Sequence, residues 1–162
     1  MNEHGGSARQ NEYSKGKWLL YDDIFVGMEF PTVKFTITEE LVKKYCKAMG
    51  DDNPLYYDSE YAKNLGFSRP IAPSTIVCIY AIPSALLSGY KPKIIPPPGN
   101  IHFRQEYEFF NAAQTGDIIS IFSTVINKEI LHMKRFVTIE SLYFNQHEKK
   151  IACGKITPIW SK

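Results

Sequence analysis

The stretch Val137-Thr138-Ile139-Glu140-Ser141-Leu142-Tyr143-Phe144 decides the predicted fold. Apolar and polar residues alternate along most of it, which is typical of a β-strand with one covered face. The same period of two begins at Ile101 and is interrupted by turn-forming residues at 116–117 and 145–148. The chain from Ile101 onward therefore predicts four antiparallel strands: Ile101–Phe110, Asp117–Lys128, Met133–Phe144 and Lys149–Trp160.

In the first part of the chain the apolar residues recur at helical spacing. Thr38 can cap a helix that buries one face and ends at Gly50. A shorter helix is predicted from Ser59 to Leu65, and a buried helix from Ser74 that Pro83 kinks or ends. These elements predict an α+β fold in which one long central helix is wrapped by a curved antiparallel sheet. The sheet includes one further predicted strand, Val33–Ile37.

Length and composition restrict the function classes. The chain has 162 residues, of which 44% are hydrophobic and 22% charged, so we expect one packed domain over residues 17–162 after a disordered polar tail at 1–16. The net charge of +2 is not gathered into a basic patch, which argues against nucleic acid as a partner. No apolar stretch is long enough to cross a membrane, and no secretory signal is visible, so the cytoplasm is expected.

The three cysteines, Cys46, Cys78 and Cys153, are widely spaced and form no CxxC pair. We expect reduced, buried thiols rather than a disulfide framework. No cluster of ligands predicts a metal site.

The loop that follows the predicted helix carries the most informative chemistry. Asp51 stands at the end of that helix, and Asn53-Pro54 biases the backbone away from helix and makes the loop rigid. A carboxylate held in such a place can act as a general base or orient a water molecule. Alternatively, Asp51 and Asn53 only form side-chain-to-backbone turns, as these residue types do in many loops.

Three segments together resemble the MaoC-like dehydratase family, whose members have the hot-dog fold and act on acyl thioesters. The most specific of them is the Gly-Asp-x-Asn-Pro core of the loop; the segments are 21–30, 45–58 and 66–72. The resemblance implies a catalytic aspartate and histidine that activate water for addition to an enoyl thioester, or for the reverse dehydration. Asp51 matches that aspartate and Asn53 the asparagine that follows it, but Tyr56 stands where the family has its histidine.

The tyrosine divides the functional hypotheses. Tyr56 is protonated at neutral pH and is a poor base, although it can donate a hydrogen bond. The sequence around it is similar to the N-terminal-type, FAS1-like MaoC domain, which implies a chain that holds the acyl group while a partner supplies the catalytic pair. The chain is thus either an (R)-specific hydratase or dehydratase that uses Asp51 with Tyr56 or His102, or a non-catalytic acyl-binding subunit. A thioesterase-like hot-dog protein is a third possibility.

Further binding residues are expected at element ends. Ser74 and Thr75 begin the predicted central helix, where free backbone N–H groups can bind a thioester carbonyl oxygen or simply be capped. His102 opens the first long strand, where it faces the same cleft or serves as a structural residue. We expect no cofactor beyond the coenzyme A or phosphopantetheine of the substrate. Edge strands predict a dimer, with a second copy or with another MaoC-like chain.

Overall fold

The computed structural model describes residues 17–80 and 94–161. The predicted tail, 1–16, lies outside these residues. The same holds for residues 81–87 of the predicted central helix, including Pro83.

A five-stranded antiparallel sheet forms the body of the molecule, in the order β2-β5-β6-β7-β4. A separate parallel pair joins β1 to β3. All four strands predicted from Ile101 onward are confirmed to within a few residues, and the strand predicted over Val33–Ile37 is part of a longer one. The strands are β1 (Lys17–Trp18), β2 (Glu29–Thr36), β3 (Ile94–Ile95), β4 (Ile101–Phe109), β5 (Ile118–Leu131), β6 (Lys134–Phe144) and β7 (Lys150–Trp160).

The hairpin between β5 and β6 is tighter than the sequence predicts. β5 continues to Leu131 instead of ending at Lys128, and only His132 and Met133 connect it to β6. Both have positive φ angles, 47° and 60°, which is the geometry of a two-residue type I′ turn. Because such turns usually carry glycine or asparagine, the sequence gives little sign of this one.

Two α-helices precede the central part of the chain, as predicted. Helix α1 (Glu39–Met49) is capped by Thr38, whose side chain accepts a hydrogen bond from the backbone N–H of Leu41. Helix α2 (Ser59–Asn64) is capped by Asp58. No helix in the parts of the chain that the structure describes is long and apolar enough to cross a membrane.

Residues Ser74–Tyr80 are helical, as expected, but they form a 3-10 helix over the described length. The β-branched run from Thr75 to Val77 has low α-helical propensity, which favours a departure from regular α-helix. Ile76 and Val77 are buried, whereas Ser74 and Thr75 are exposed. The start of the predicted central helix thus packs one side into the core.

The core consists of two clusters that lie at opposite ends of the inner face of the sheet. The first gathers the N-terminal segment and the ends of β6 and β7 that carry Val137 and Trp160. The second gathers α1, the Ser74–Tyr80 helix and the opposite ends of the same strands, with Tyr143 and Ile151. This division determines which side chains can share a site.

Candidate active site

Asp51 is placed by the way in which α1 ends. Gly50 adopts a left-handed conformation with φ 66°, which glycine tolerates well, and this turns the chain out of the helix. The backbone N–H of Asp51 then donates to the carbonyl oxygen of Cys46 at 3.0 Å. The Asp51 side chain is exposed at the surface of the loop. The sequence therefore located the carboxylate correctly at the end of a helix.

Asn53 and Pro54 shape the loop through local turns and a short 3-10 helix. One carboxylate oxygen of Asp51 accepts a hydrogen bond from the Asn53 backbone N–H at 3.2 Å. The Asn53 side-chain oxygen in turn accepts from the Leu55 backbone N–H at 3.0 Å, and Pro54–Tyr56 form a short 3-10 helix. Both side-chain-to-backbone turns are thus present. They leave the second carboxylate oxygen of Asp51 outside the turn.

Tyr56 directs its hydroxyl group toward Asp51. Its ring is partly buried against the second core cluster. Burial, together with the negative charge of Asp51 and a hydrogen bond to that carboxylate, raises the pKa of Tyr56 above its usual value. Tyr56 is therefore a hydrogen-bond donor at neutral pH and lies beside the Asp51 carboxylate.

Tyr57 is a site residue that the sequence did not single out. Its hydroxyl donates to the backbone carbonyl of Asp51 at 3.1 Å. A hydrogen bond with the Cys46 side chain, together with desolvation, raises the pKa of Tyr57 to about 12. Tyr57 thus fixes the main chain that carries Asp51. No spacing rule reveals which of two adjacent tyrosines contacts the backbone and which contacts the carboxylate.

The segment after α2 is hydrogen-bonded to this loop. The backbone N–H of Ile71 donates to the carbonyl oxygen of Leu55 at 3.2 Å. Arg69, two residues earlier, pairs with the buried carboxylate of Asp117 at 2.8 Å. Burial opposes ionisation of Asp117, but hydrogen bonds from Gln114, Gln146 and Arg69 outweigh it and lower the pKa of Asp117. The ion pair between Arg69 and Asp117 joins residues far apart in sequence, so no local motif predicts it.

Ser74 and Thr75 lie at the start of the 3-10 helix, on the exposed side. The Thr75 hydroxyl accepts a hydrogen bond from the hydroxyl of Tyr45 on α1 at 2.9 Å. This contact ties the end of α1 that precedes Asp51 to the helix that follows it. Tyr45 is thus a second residue that positions the loop.

Of the two roles expected for His102, a place in the cleft of Asp51 or a structural role, the structure does not support the first, because His102 lies away from the Asp51 loop. It pairs with Pro158 and lines a cavity of about 150 Å³ together with Ile139, Ile156 and Trp160. These residues belong to the first core cluster, whereas the Asp51 loop lies against the second. His102 and Phe109 stand at opposite ends of β4, about 23 Å apart at the usual rise per residue.

The described residues contain no group of three or more potential ligands that could hold a metal ion. The three cysteines are free; Cys46 is buried, and Cys78 and Cys153 are half-buried. The hydroxyls of Tyr56 and Tyr57 lie beside Asp51, and the Thr75 hydroxyl is bonded to Tyr45 on the same helix end.

Comparison with known proteins places the chain in a family. Residues 24–153 match the family described as FAS1-like, dehydratase domain region. A UPF0336 protein from Streptomyces avermitilis is 30% identical over 109 residues, which cover 66% of this chain and 73% of that protein. The matched residues include both the Asp51 loop and most of the sheet.

Several solved structures with similar folds are dehydratases or hydratases. An R-hydratase from Pseudomonas aeruginosa aligns with a TM-score of 0.73 and 22% identity, covering 88% of this chain and 86% of that chain. A MaoC-like dehydratase from Rhodospirillum rubrum aligns with a TM-score of 0.72 and 19% identity, covering 89% of this chain and 98% of that chain. The HadBC 3R-hydroxyacyl-ACP dehydratase complex from Mycobacterium tuberculosis aligns with a TM-score of 0.69 and 19% identity, covering 84% of this chain and 97% of that chain. The chain therefore belongs to the FAS1-like dehydratase-domain family and has the hot-dog fold of MaoC-like dehydratases.

Proposed function

We propose that the protein catalyses the reversible hydration of an enoyl thioester to the (R)-3-hydroxyacyl thioester. The observation that carries this proposal is the exposed Asp51 carboxylate, held rigidly at the end of α1 beside the protonated hydroxyl of Tyr56. Membership of a dehydratase family gives this pair a reaction class. The fold shared with an R-hydratase supports the stereochemistry as part of the proposal.

In the proposed reaction Asp51 is the general base. Its carboxylate takes a proton from water while the water oxygen forms a bond to C3 of the enoyl thioester. The electron pair of the C2–C3 double bond moves toward C2 and the thioester carbonyl. The protonated Asp51 then returns a proton to C2, so that one water molecule is added and the enzyme is restored. Dehydration follows the same steps in reverse.

Tyr56 assists by holding the carboxylate and donating a hydrogen bond. Because its pKa is raised by burial and by Asp51, the hydroxyl remains a donor and does not compete with Asp51 for the proton of water. Tyr57 and Tyr45 fix the two segments between which the thioester must lie. Ser74 and Asn53 are proposed to contact the thioester, together with Thr75.

The proposed substrate is an acyl group carried on coenzyme A or on the phosphopantetheine arm of a carrier protein. No other cofactor is needed, because adding water is neither a redox nor a group-transfer step. We further propose that the protein works as a dimer of hot-dog domains.

The test is an assay of the purified protein with short and medium enoyl-CoA thioesters, measured by loss of the conjugated double bond. Asp51→Ala is expected to lower the rate by a factor on the order of 10² to 10⁴, the usual contribution of general acid–base catalysis. Asp52→Ala is the matched control, because it removes the neighbouring exposed carboxylate and should leave the rate nearly unchanged. Equal losses in the two variants would contradict the role of Asp51.

One observation favours a second function, that of an acyl-binding subunit. The residue beside Asp51 is a tyrosine with a raised pKa, and such a group cannot act as a base at neutral pH. A folded protein that is silent with every enoyl thioester alone, but raises the rate of a second MaoC-like chain on mixing, would support the subunit. Activity of the isolated protein that depends on Asp51 would reject it.

A further inference from the structure

The hairpin between β5 and β6 extends beyond the rest of the sheet. On one side β7 ends at Trp160, which pairs with Arg135, and on the other side β2 pairs with β5 only as far as Thr124. The last row of the hairpin, Leu131 opposite Lys134, and the two turn residues therefore have no neighbouring strand within the described part of the chain. At the usual rise per residue, this projecting part is about 7 Å long.

The hairpin tip, residues 130–135, is apolar on both of its faces. Ile130 is 64% exposed, Leu131 51% and Met133 96%. Because consecutive side chains of a strand point to opposite faces, Ile130 and Leu131 lie on different sides of the ribbon, and Met133 stands at its end. A partner that covers these three side chains must therefore surround the tip.

The turn itself does not account for the methionine. His132 and Met133 both have positive φ angles, which asparagine and glycine adopt with less strain. Met133 buries almost none of its surface in the folded chain. Folding thus gains nothing from an apolar side chain at this position, whereas a partner that takes up the side chain would gain from its burial.

Cations flank the apolar side chains of the tip. Lys134 and Arg135 are exposed on its second strand, and Lys128 lies just before it on the first. In the parts of the chain that the structure describes, none of the three belongs to an ion pair with a carboxylate. Residues 128–135 include only one carboxylate, that of Glu129. An anionic surface is therefore complementary in charge to this end of the molecule.

We propose that the hairpin tip inserts into the headgroup region of an anionic lipid bilayer. A bilayer surrounds an inserted group on every side, so it can take up both faces of the ribbon, whereas a flat protein surface covers only one. Segments that bind at the interface bury their apolar part about 5–10 Å deep, and the projecting part of the hairpin, about 7 Å long, matches that depth. Lys134 and Arg135 then lie near the lipid phosphates, where each cation is attracted to the anionic headgroups.

The proposed docking leaves the candidate active site in water. The tip continues from the end of the sheet that carries Val137 and Trp160 of the first core cluster. The Asp51 loop lies against the second core cluster, at the other end of the sheet. A protein docked through the tip would thus hold the Asp51 loop away from the lipid surface.

The proposal is tested by co-sedimentation of the full chain with lipid vesicles. We expect binding to vesicles of phosphatidylglycerol in phosphatidylcholine, and at least roughly tenfold weaker binding to phosphatidylcholine alone. The double variant Ile130→Ser, Met133→Ser should bind the anionic vesicles at least roughly tenfold more weakly, because it removes two of the inserted apolar groups. The matched control is Met49→Ser, Leu65→Ser, which removes two exposed apolar groups at the ends of α1 and α2 and should bind like the unaltered protein.

The charge contribution is tested separately, in a variant that keeps all the apolar side chains. Lys134→Glu should weaken binding to the anionic vesicles at least roughly fivefold. Lys34→Glu changes the net charge equally, but Lys34 is an exposed residue of β2 that pairs with Ser120, far from the tip, so its effect should be small.

Insertion itself is measured with Met133→Trp. Its added tryptophan emission should shift to shorter wavelength with anionic vesicles and should be quenched by nitroxide-labelled lipid. Failure of the unaltered protein to bind anionic vesicles would overturn the proposal in favour of a protein partner. Equal losses in the tip and control variants, or emission of Met133→Trp that vesicles leave unchanged, would overturn it as well. None of these readouts depends on hydratase activity, so the proposed function can fail separately.

Discussion

Tyr56 is the residue that separates the two proposed functions. It stands beside Asp51 with a protonated hydroxyl, in the position where the family resemblance implies a histidine. A phenol with a raised pKa can orient a carboxylate, but it cannot take a proton from water at neutral pH. The catalytic power of the site should therefore change with the acidity of this one side chain.

Two substitutions at Tyr56 separate orientation from base catalysis. Tyr56→Phe removes the hydrogen bond to the carboxylate and should lower the hydration rate by roughly tenfold to a hundredfold, the value of a hydrogen bond to a charged group. Tyr56→His introduces a base with a pKa of about 6.5 and should raise the rate above that of the unaltered protein. Steady-state kinetics of the folded variants is the measurement. If histidine leaves the rate unchanged, Tyr56 does not limit the reaction.

At the scale of the elements, a pair of tyrosines, Tyr143 buried and Tyr107 half-buried, joins two strands to the helix at Ser74–Tyr80. The hydroxyls of Tyr107 on β4 and Tyr143 on β6 are 3.2 Å apart, and Tyr107 also reaches the Cys78 thiol. Gly154 on β7 makes this possible, since a Cβ there would come within 2.5 Å of the Tyr107 ring. Burial raises the pKa of Tyr143 to about 12 and raises that of Tyr107 further.

The tyrosine pair predicts that the protein loses stability at alkaline pH. In the unfolded chain tyrosine ionises near pH 10.0, whereas folded Tyr143 keeps its proton until about 12. Between these values the unfolded state binds fewer protons, so the free energy of unfolding falls as pH rises. Tyr143 alone should account for about 1 kcal/mol of loss between pH 9 and pH 11. Urea unfolding at both pH values is the measurement.

Tyr143→Phe serves as the comparison for this prediction. It removes the titrating hydroxyl but keeps the ring, so its free energy of unfolding should fall less steeply over the same pH range. An equally steep fall in the variant would assign the alkaline loss to other groups.

At the scale of the whole molecule, the sheet separates two sets of side chains that the chemistry would combine. The Asp51 loop lies against one core cluster and His102 against the other, with most of β4 between them. A strand of this length holds its two ends apart, so no local rearrangement can join them.

The sequence by itself determined where the strands and helices lie and that the Asp51 loop is built from local turns. Alternation in 137–144 and the helical spacing that ends at Gly50 depend on neighbours along the chain, and the structure contains the corresponding strand and helix. The turns made by Asp51 and Asn53 are also local, since each side chain bonds the backbone two residues later. Local interactions of this kind can be predicted from the sequence before the fold is known.

Tertiary structure alone decided which distant residues meet. From the sequence, His102 is expected either in the cleft of Asp51 or in a structural role; the direction of β4 puts the histidine at the other end of the sheet, beside a separate cavity. Likewise, the Tyr57 hydroxyl donates a hydrogen bond to the Asp51 carbonyl oxygen, and Arg69 donates one to Asp117, which is 48 residues away in the sequence. Such contacts depend on strand order, register and packing between elements, and none of these is written in the spacing of residues along a single segment.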